Sequence, residues 1–407
     1  MSARLNLLLC AVLLGASAPS WAEKKVDLDY HVSFLPASDQ AEVRLTLEDG
    51  SAVKSLRFDL GDDGRYSDFK TDGGWLQESP SAGTWQPGTG KTSLSYRVRV
   101  SHQRQSGTFD ARMTEDWVLL RGDDLVPGAS LRQQDGVELV ARLQFELPKE
   151  WPGVETGWPR IGPNRFRIDN PARRFDRPTG WILAGKLGSR RTRLGNANVS
   201  VAAPLGQGMR RMDILTLLTF VWDAYRAVFL REPAKLLVVG AGDPMWRGGL
   251  SAPNSLYLHA DRPLVSENGT SSLMHELAHV FLRIRDVERS DWISEGLAEY
   301  YAIELLRRAG GLSEERYVKV YQRLGRWGEK VKSLRGEAVR GPETARAVLL
   351  LRELDREIRE QSGDRHSLDD VVQGLMRLDV VSTRDFIALS EDLMGGKSKV
   401  LASRLLR

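Results

Sequence analysis

Cysteine is all but missing: Cys10 is the only one in 407 residues. A lone cysteine excludes disulfide staples and thiolate metal cages. Histidine is also scarce, with six in the chain, so two at a meaningful spacing carry weight. Neither sign of charge dominates, because 58 basic and 54 acidic residues leave a net charge of +4. The short basic runs, Arg173 with Arg174 and Arg190 and Arg191 with Arg193, read as solvated loop charges and not as a nucleic-acid surface. There is no internal repeat and no low-complexity segment. A hydrophobic content of 41% and a mean hydropathy of −0.34 describe a soluble globular chain with room for two domains.

Long apolar runs are lacking as well. Leu5 to Gly15 is shorter than the roughly 20 residues that span a bilayer. It follows Arg4 and leads to the small residues around Ser20-Trp21-Ala22. Residues 1–22 therefore read as a signal peptide cut before Glu23, which predicts a bacterial protein exported to the periplasm or secreted, with no stable membrane span after cleavage. Leu9 is bulky and the apolar run continues past Cys10, which argues against a lipid-modified cysteine.

From Val26 to about Ala203 the chain runs in short alternating segments, such as Asp27 to Phe34, Ala41 to Leu47 and Glu138 to Leu147, separated by Gly, Pro, Asp and Asn clusters. This period-two texture predicts a β-sandwich-like domain over 23–205. At Met209 to Arg231 it gives way to a helical pattern with Ile214, Leu217, Leu218, Val221 and Tyr225 on one face. Two strands are expected at Lys235 to Val239 and Ser255 to His259, joined by a glycine-rich turn. Beyond Asn268 helical spacing recurs in Ser271 to Ile284, Trp292 to Arg308, Ser313 to Lys332, Glu343 to Glu360 and Leu368 to Leu378. The expected class is α+β and multidomain, with a second, mainly helical domain over 206–407.

Inside one of these helices lies His275-Glu276-Leu277-Ala278-His279. Residues four apart share a helix face, so both imidazoles can point at one metal ion while Glu276 reaches a water beside it. Two imidazoles do not complete a catalytic zinc site, which takes three protein ligands and an open position. The next helix, Trp292-Ile293-Ser294-Glu295-Gly296-Leu297-Ala298-Glu299-Tyr300-Tyr301, offers further carboxylates.

Together these two segments resemble the gluzincin peptidases, in which the HExxH helix is followed by W-x-x-E-G-x-x-x-Y. The similarity is greatest to the glycyl aminopeptidase family and covers about residues 209–394. Phe145-Glu146-Leu147-Pro148-Lys149-Glu150-Trp151 is similar to that family's linker, and Leu354 to Arg359 followed by Ser367 to Val371 to its closing helices. The resemblance implies a thermolysin-like catalytic domain and one Zn2+ per chain on His275, His279 and Glu295. It further implies Glu276 as the acid and base, and a peptide or protein as substrate. Glu299, one turn after Glu295, is placed to hold the second nitrogen of a ligand imidazole.

Two departures from the family bear on substrate. Gly248-Gly249-Leu250-Ser251-Ala252-Pro253-Asn254-Ser255 is similar to a segment, G-G-L-E-H-x-N-S, whose acidic residue helps hold a free amino terminus. Gly249 is retained, but Ser251 replaces the acid, which removes the charge-assisted partner of an ammonium and predicts weak or absent aminopeptidase activity. At Gly341-Pro342-Glu343 the family has Y-x-K-G, with a tyrosine that stabilises the oxyanion; Tyr317, Tyr321 and Arg346 are the replacements to consider. His259 reads as a scaffold histidine with substrate contact as the alternative, and His366 as a solvated one. Three readings stay open: an active exported peptidase, a catalytically weak relative that binds peptides, and an envelope interaction module in which zinc only stabilises the helical half.

Overall fold

The computed structural model describes residues 24–170 and 175–407. The segment read as a signal peptide, and Arg173 with Arg174, lie outside the described residues. The β-rich half is built on Lys24–Leu35, whose alternate residues Val26, Leu28, Tyr30, Val32 and Phe34 are buried. It pairs in parallel with Val137–Glu146 and antiparallel with Gln40–Leu47, inside a seven-stranded sheet. A four-stranded sheet, centred on Val53–Asp59 and Ala82–Gln86, closes over the same core.

A third sheet carries Trp117–Arg121 paired with Trp181–Gly185. Both runs are apolar without alternation because both of their faces are covered. Val118, Leu120, Ile182 and Ala184 face the β core, whereas Trp117, Leu119, Trp181 and Leu183 pack on Leu237, Val239 and Tyr257 of the other half.

That half has a mixed five-stranded sheet in the order Leu187–Leu194, Ala197–Pro204, Lys235–Val239, Ser255–Leu258, Gly249–Ala252. The first two strands fall on the β-rich side of the change of texture at residue 205, yet Ala197–Pro204 pairs in parallel with Lys235–Val239. By hydrogen bonding the structure therefore divides near Lys186. Alternation marks a strand but not the sheet it joins.

Gly249–Ala252, inside the stretch expected as a turn, is an edge strand antiparallel to Ser255–Leu258 with Pro253 and Asn254 at the bend. Seven helices follow the sheet strands or pack between them: Arg211–Val228, Ser272–Leu282, Trp292–Arg308, Glu314–Gly328, Gly341–Ser362, Leu368–Leu378 and Thr383–Met394. The last was not among the expected helices. Its signal was local, a capping box in which Ser382 and Asp385 bind each other's backbone N–H. Among the described residues no helix is long and apolar enough to cross a membrane.

Candidate metal centre

The helix Ser272–Leu282 starts where the Ser271 hydroxyl accepts the Met274 N–H at 3.2 Å, and ends at Arg283 in the left-handed region, φ 49°. Leu273, Met274, Leu277, Ala278 and Phe281 are buried, which leaves the two histidines on the remaining face. Tyr225 fixes the helix from outside by donating its hydroxyl to the Met274 carbonyl at 2.7 Å. The next helix, Trp292–Arg308, is held at its start by the Trp292 indole N–H on the Thr383 hydroxyl at 3.0 Å. Beside Glu295, Gly296 lets the helix Gly341–Ser362 approach, since a Cβ there would lie 2.8 Å from Ala347 Cβ.

These helices bring three ligand atoms together. His275 Nε2 is 3.2 Å from His279 Nε2 and 3.4 Å from Glu295 Oε2, and His279 Nε2 is 3.3 Å from Glu295 Oε1. Tetrahedral zinc with bonds of about 2.0–2.1 Å spaces its ligands about 3.3 Å apart. The trio fits that ion in separation and in donor type. No other group of three potential ligands among the described residues converges in this way.

The electrostatics of the site have one direction. Burial opposes charge on the His275 ring, but Glu295 and then Glu299 outweigh it and raise its pKa well above the usual histidine value. Burial alone would raise the Glu295 carboxyl; hydrogen bonds from His275 and His279 hold it well below the carboxylate range. Without metal the site thus keeps a proton between its ligands.

Glu299 lies behind the His275 ring. Its Oε2 lies 2.9 Å from His275 Nδ1, which places the proton on Nδ1 and leaves Nε2 to face the metal position. Glu276 is buried, and its Oε2 accepts the Ser251 N–H at 2.7 Å. Gly249 passes close to the same side chain, where a Cβ would stand 3.0 Å from Glu276 Cγ and 3.2 Å from Oε1. Successive strand residues face opposite ways, so Ser251 shares the Gly249 face toward Glu276, while Leu250 packs behind with Trp181, whose indole N–H binds the Leu250 carbonyl at 2.9 Å.

The oxyanion replacements are not at the site. Tyr317 donates to Glu304 at 3.0 Å, and the Tyr321 hydroxyl is buried beside Tyr317. Arg352 stacks on both rings, 5.5 and 4.0 Å from their centroids. Both tyrosines form the inner face of the amphipathic helix Glu314–Gly328, and its packing on Gly341–Ser362 places them in the bundle core. Arg346 lines a cavity with Leu350, Lys399 and Leu405, one helix position before the Ala347 that meets Gly296.

His259 is scaffold: it is buried, its Nδ1 accepts the Asp261 N–H at 3.2 Å, and its Nε2 lies 3.4 Å from Asp243. His366 has a side chain that is 37% exposed, with Nδ1 enclosed 3.8 Å from Asp370. Sequence reading passed over Asp286, which accepts the Ser294 hydroxyl next to Glu295 and reaches it from a two-residue bridge with Val380–Val381. It also passed over the contact between Arg283 and the Asn254 side chain. Neither pair has a sequence signature.

No protein-family model matches the chain, and no curated protein matches its sequence. Solved structures do match. An aminopeptidase N family protein from Idiomarina loihiensis is 17% identical over 86% of this chain and 70% of its own, with a TM-score of 0.67. An M1 zinc metallopeptidase from Deinococcus radiodurans, as a glutamate-to-alanine mutant bound to the peptide Tyr-Ser-Ala, is 16% identical over 94% of this chain and 93% of its own, with a TM-score of 0.61. The same enzyme without that mutation gives 17%, 94%, 93% and 0.57. At such identities the likeness is one of fold: the chain has the two-part architecture of the M1 zinc metallopeptidases, and the expected α+β gluzincin fold is borne out.

Proposed function

We propose that this chain is an exported zinc-dependent peptidase that cuts within peptides rather than trimming free amino termini. One observation carries the reading: His275 Nε2, His279 Nε2 and Glu295 converge at 3.2–3.4 Å, with the Glu276 carboxylate fixed beside them. One Zn2+ per chain fits those three ligands. When bound, it supplies Lewis acidity that polarises a carbonyl and makes a water acidic enough to ionise near pH 7, a pKa of about 7.

The chain's own residues do the rest. Glu276 Oε2 is anchored on the Ser251 N–H, which leaves Oε1 to take a proton from water and return it to the leaving amine. Glu299 holds the His275 ring in the tautomer that presents Nε2. The edge strand Gly249–Ala252, whose Ser251 N–H donates to Glu276 and whose Leu250 carbonyl accepts the Trp181 indole N–H, forms a wall beside which an extended substrate can lie. At Ser251 that wall carries a hydroxyl, so it offers no carboxylate to an ammonium. The signal-like residues 1–22 support export to the periplasm or beyond.

A second reading, a peptide-binding protein of little or no turnover, rests on the tyrosines. All nine lie among the described residues, and none offers a phenol to the metal position. Seven hydroxyls are spent on Asp176, Asp124, Leu125, Met274, Trp246, Asp369 and Glu304. Tyr321 is enclosed in the bundle, and Tyr300 sits by Asp355 and Glu304.

The test uses the full secreted chain on an unstructured protein and on peptides with free or acetylated amino termini. The first reading expects one zinc per chain, cleavage lost on chelation and in Glu276→Gln, and no benefit from a free amino terminus. Efficient release of single residues from free amino termini refutes the specificity. Stoichiometric zinc with peptide binding and no cleavage selects the second reading.

A further inference from the structure

The histidine helix lies beside the edge hairpin and touches it at two points. At one point the Ser251 N–H meets Glu276, and farther along the Arg283 guanidinium meets the Asn254 side-chain oxygen. Seven helical residues separate Glu276 from Arg283, a rise of about 10 Å. On the hairpin the two contacts fall at Ser251 within the strand and at Asn254 in the bend that ends it, and a rise of about 10 Å matches about three residues of an extended peptide. A peptide lying along the same edge with its scissile bond beside Glu276 therefore comes level with Arg283 about three residues from that bond.

Arg283 is built as a receptor for negative charge. Its Nε donates to the Val280 carbonyl at 3.1 Å and its Nη2 to Asn254, so the fork is held from two sides. Among the described residues no carboxylate forms an ion pair with it. Its charged neighbour is Arg231, already engaged with Asp379 at 3.0 Å and the Met376 carbonyl at 2.6 Å. Burial first, and the Arg231 charge second, lower the Arg283 pKa from its ordinary value. Arg283 is nonetheless exposed to solvent, and a guanidinium held in place without a counter-charge is stabilised by an incoming carboxylate, which a planar fork also suits in geometry.

We propose that Arg283 makes this site selective for substrates with an acidic side chain about three residues from the scissile bond, on the Asn254 side. The inference rests on the peptidase reading above. Two experiments on the zinc-loaded full chain test it. In the first, a peptide library is digested with wild type, Arg283→Gln and Arg283→Glu, and cut sites are read by mass spectrometry. Wild type should enrich Asp and Glu at that position on one side of the cut, Arg283→Gln should lose the enrichment, and Arg283→Glu should favour Lys and Arg. In the second, Glu276→Gln binds labelled extended decapeptides carrying Asp, Asn or Lys at each position in turn. The Asp peptide should bind about tenfold tighter than the Asn peptide, with the margin shrinking at high salt. Zinc content and thermal unfolding of each variant report whether it has folded. Cleavage or binding without acid preference, or a preference that survives Arg283→Gln, overturns the inference and leaves the peptidase reading standing. No cleavage and no binding by folded, zinc-loaded protein overturns both.

Discussion

In the proposed zinc site Glu299 would support the metal without touching it, and replacing it measures that support directly. The bond from His275 Nδ1 to Glu299 Oε2 is 2.9 Å, and both side chains are 16% exposed, so bulk water does little to screen it. A carboxylate behind a ligand imidazole fixes the ring, selects the tautomer and strengthens Nε2 as a donor; its loss costs about 10- to 100-fold in metal affinity, or about 1.4 to 2.7 kcal/mol. Two substitutions divide that cost. Glu299→Gln keeps an oxygen for the Nδ1 proton but loses the charge, and should weaken zinc binding about tenfold. Glu299→Leu removes the acceptor, frees the ring to rotate or change tautomer, and should approach 100-fold. The assay is competition for zinc against a chromophoric chelator at fixed pH, with circular dichroism to confirm the helices. If Glu299→Leu holds zinc within twofold of wild type, the carboxylate does not support the ligand and the reasoning fails.

Further expectations follow from the same geometry. Gly249→Ala forces Glu276 aside by a few tenths of an ångström, because the added Cβ would stand 3.0 Å from its Cγ; hydrolysis should drop roughly tenfold or more while zinc content stays at one per chain. Zinc affinity should climb as pH rises through and beyond 7, since the raised pKa of His275 means that a proton competes for the ligands until high pH; a flat profile between pH 6 and 9 contradicts this. Lys235, whose pKa burial lowers to about 8, donates to the Trp158 carbonyl at 2.9 Å. The unfolded chain protonates this lysine more readily than the folded one, so its cost is full below pH 8 and disappears as pH rises toward 10.5. Relative to wild type, Lys235→Met should therefore lose stability between pH 7 and 10.5, by at most on the order of 3 kcal/mol, read from urea midpoints.

How much the sequence disclosed depends on how local each feature is. His275 and His279 meet because four residues make about one helical turn, and Glu299 follows Glu295 by the same step; these relations need nothing outside a helix. Gly249 against Glu276 joins a strand to a helix across 27 residues, and only a family resemblance pointed to it. The strand Ala197–Pro204 shows the limit of patterning, because buried Ala197, Val199 and Val201 mark a strand without naming its neighbours. The unbroken apolar runs at Trp117–Arg121 and Trp181–Gly185 did carry information, for they signal burial on two faces and hence a sheet between two cores. Tyr317 and Tyr321 misled for a related reason: their helix is strongly amphipathic, and an aromatic on its apolar face belongs first to the bundle core.

The proposed metal ligands and the proposed substrate wall come from different parts of the chain, which explains how one can be complete while the other departs from the family pattern it resembles. His275, Glu276, His279, Glu295 and Glu299 all lie on two consecutive helices packed through buried apolar faces. Ser251 lies on an edge hairpin backed by Trp181 of the β-rich half. A side chain on that hairpin can change without moving a ligand, since what Glu276 needs from Ser251 is its backbone N–H, which any residue but proline supplies. Ser251→Glu is therefore a clean addition. It leaves the metal trio and the Glu276 anchor intact and places a carboxylate on the face where a free amino terminus would lie. If the missing acid is what bars aminopeptidase action, Ser251→Glu should gain residue release from free amino termini without a change in zinc affinity. If zinc stays bound and no gain appears, the barrier lies elsewhere, and the absent oxyanion tyrosine becomes the limiting defect.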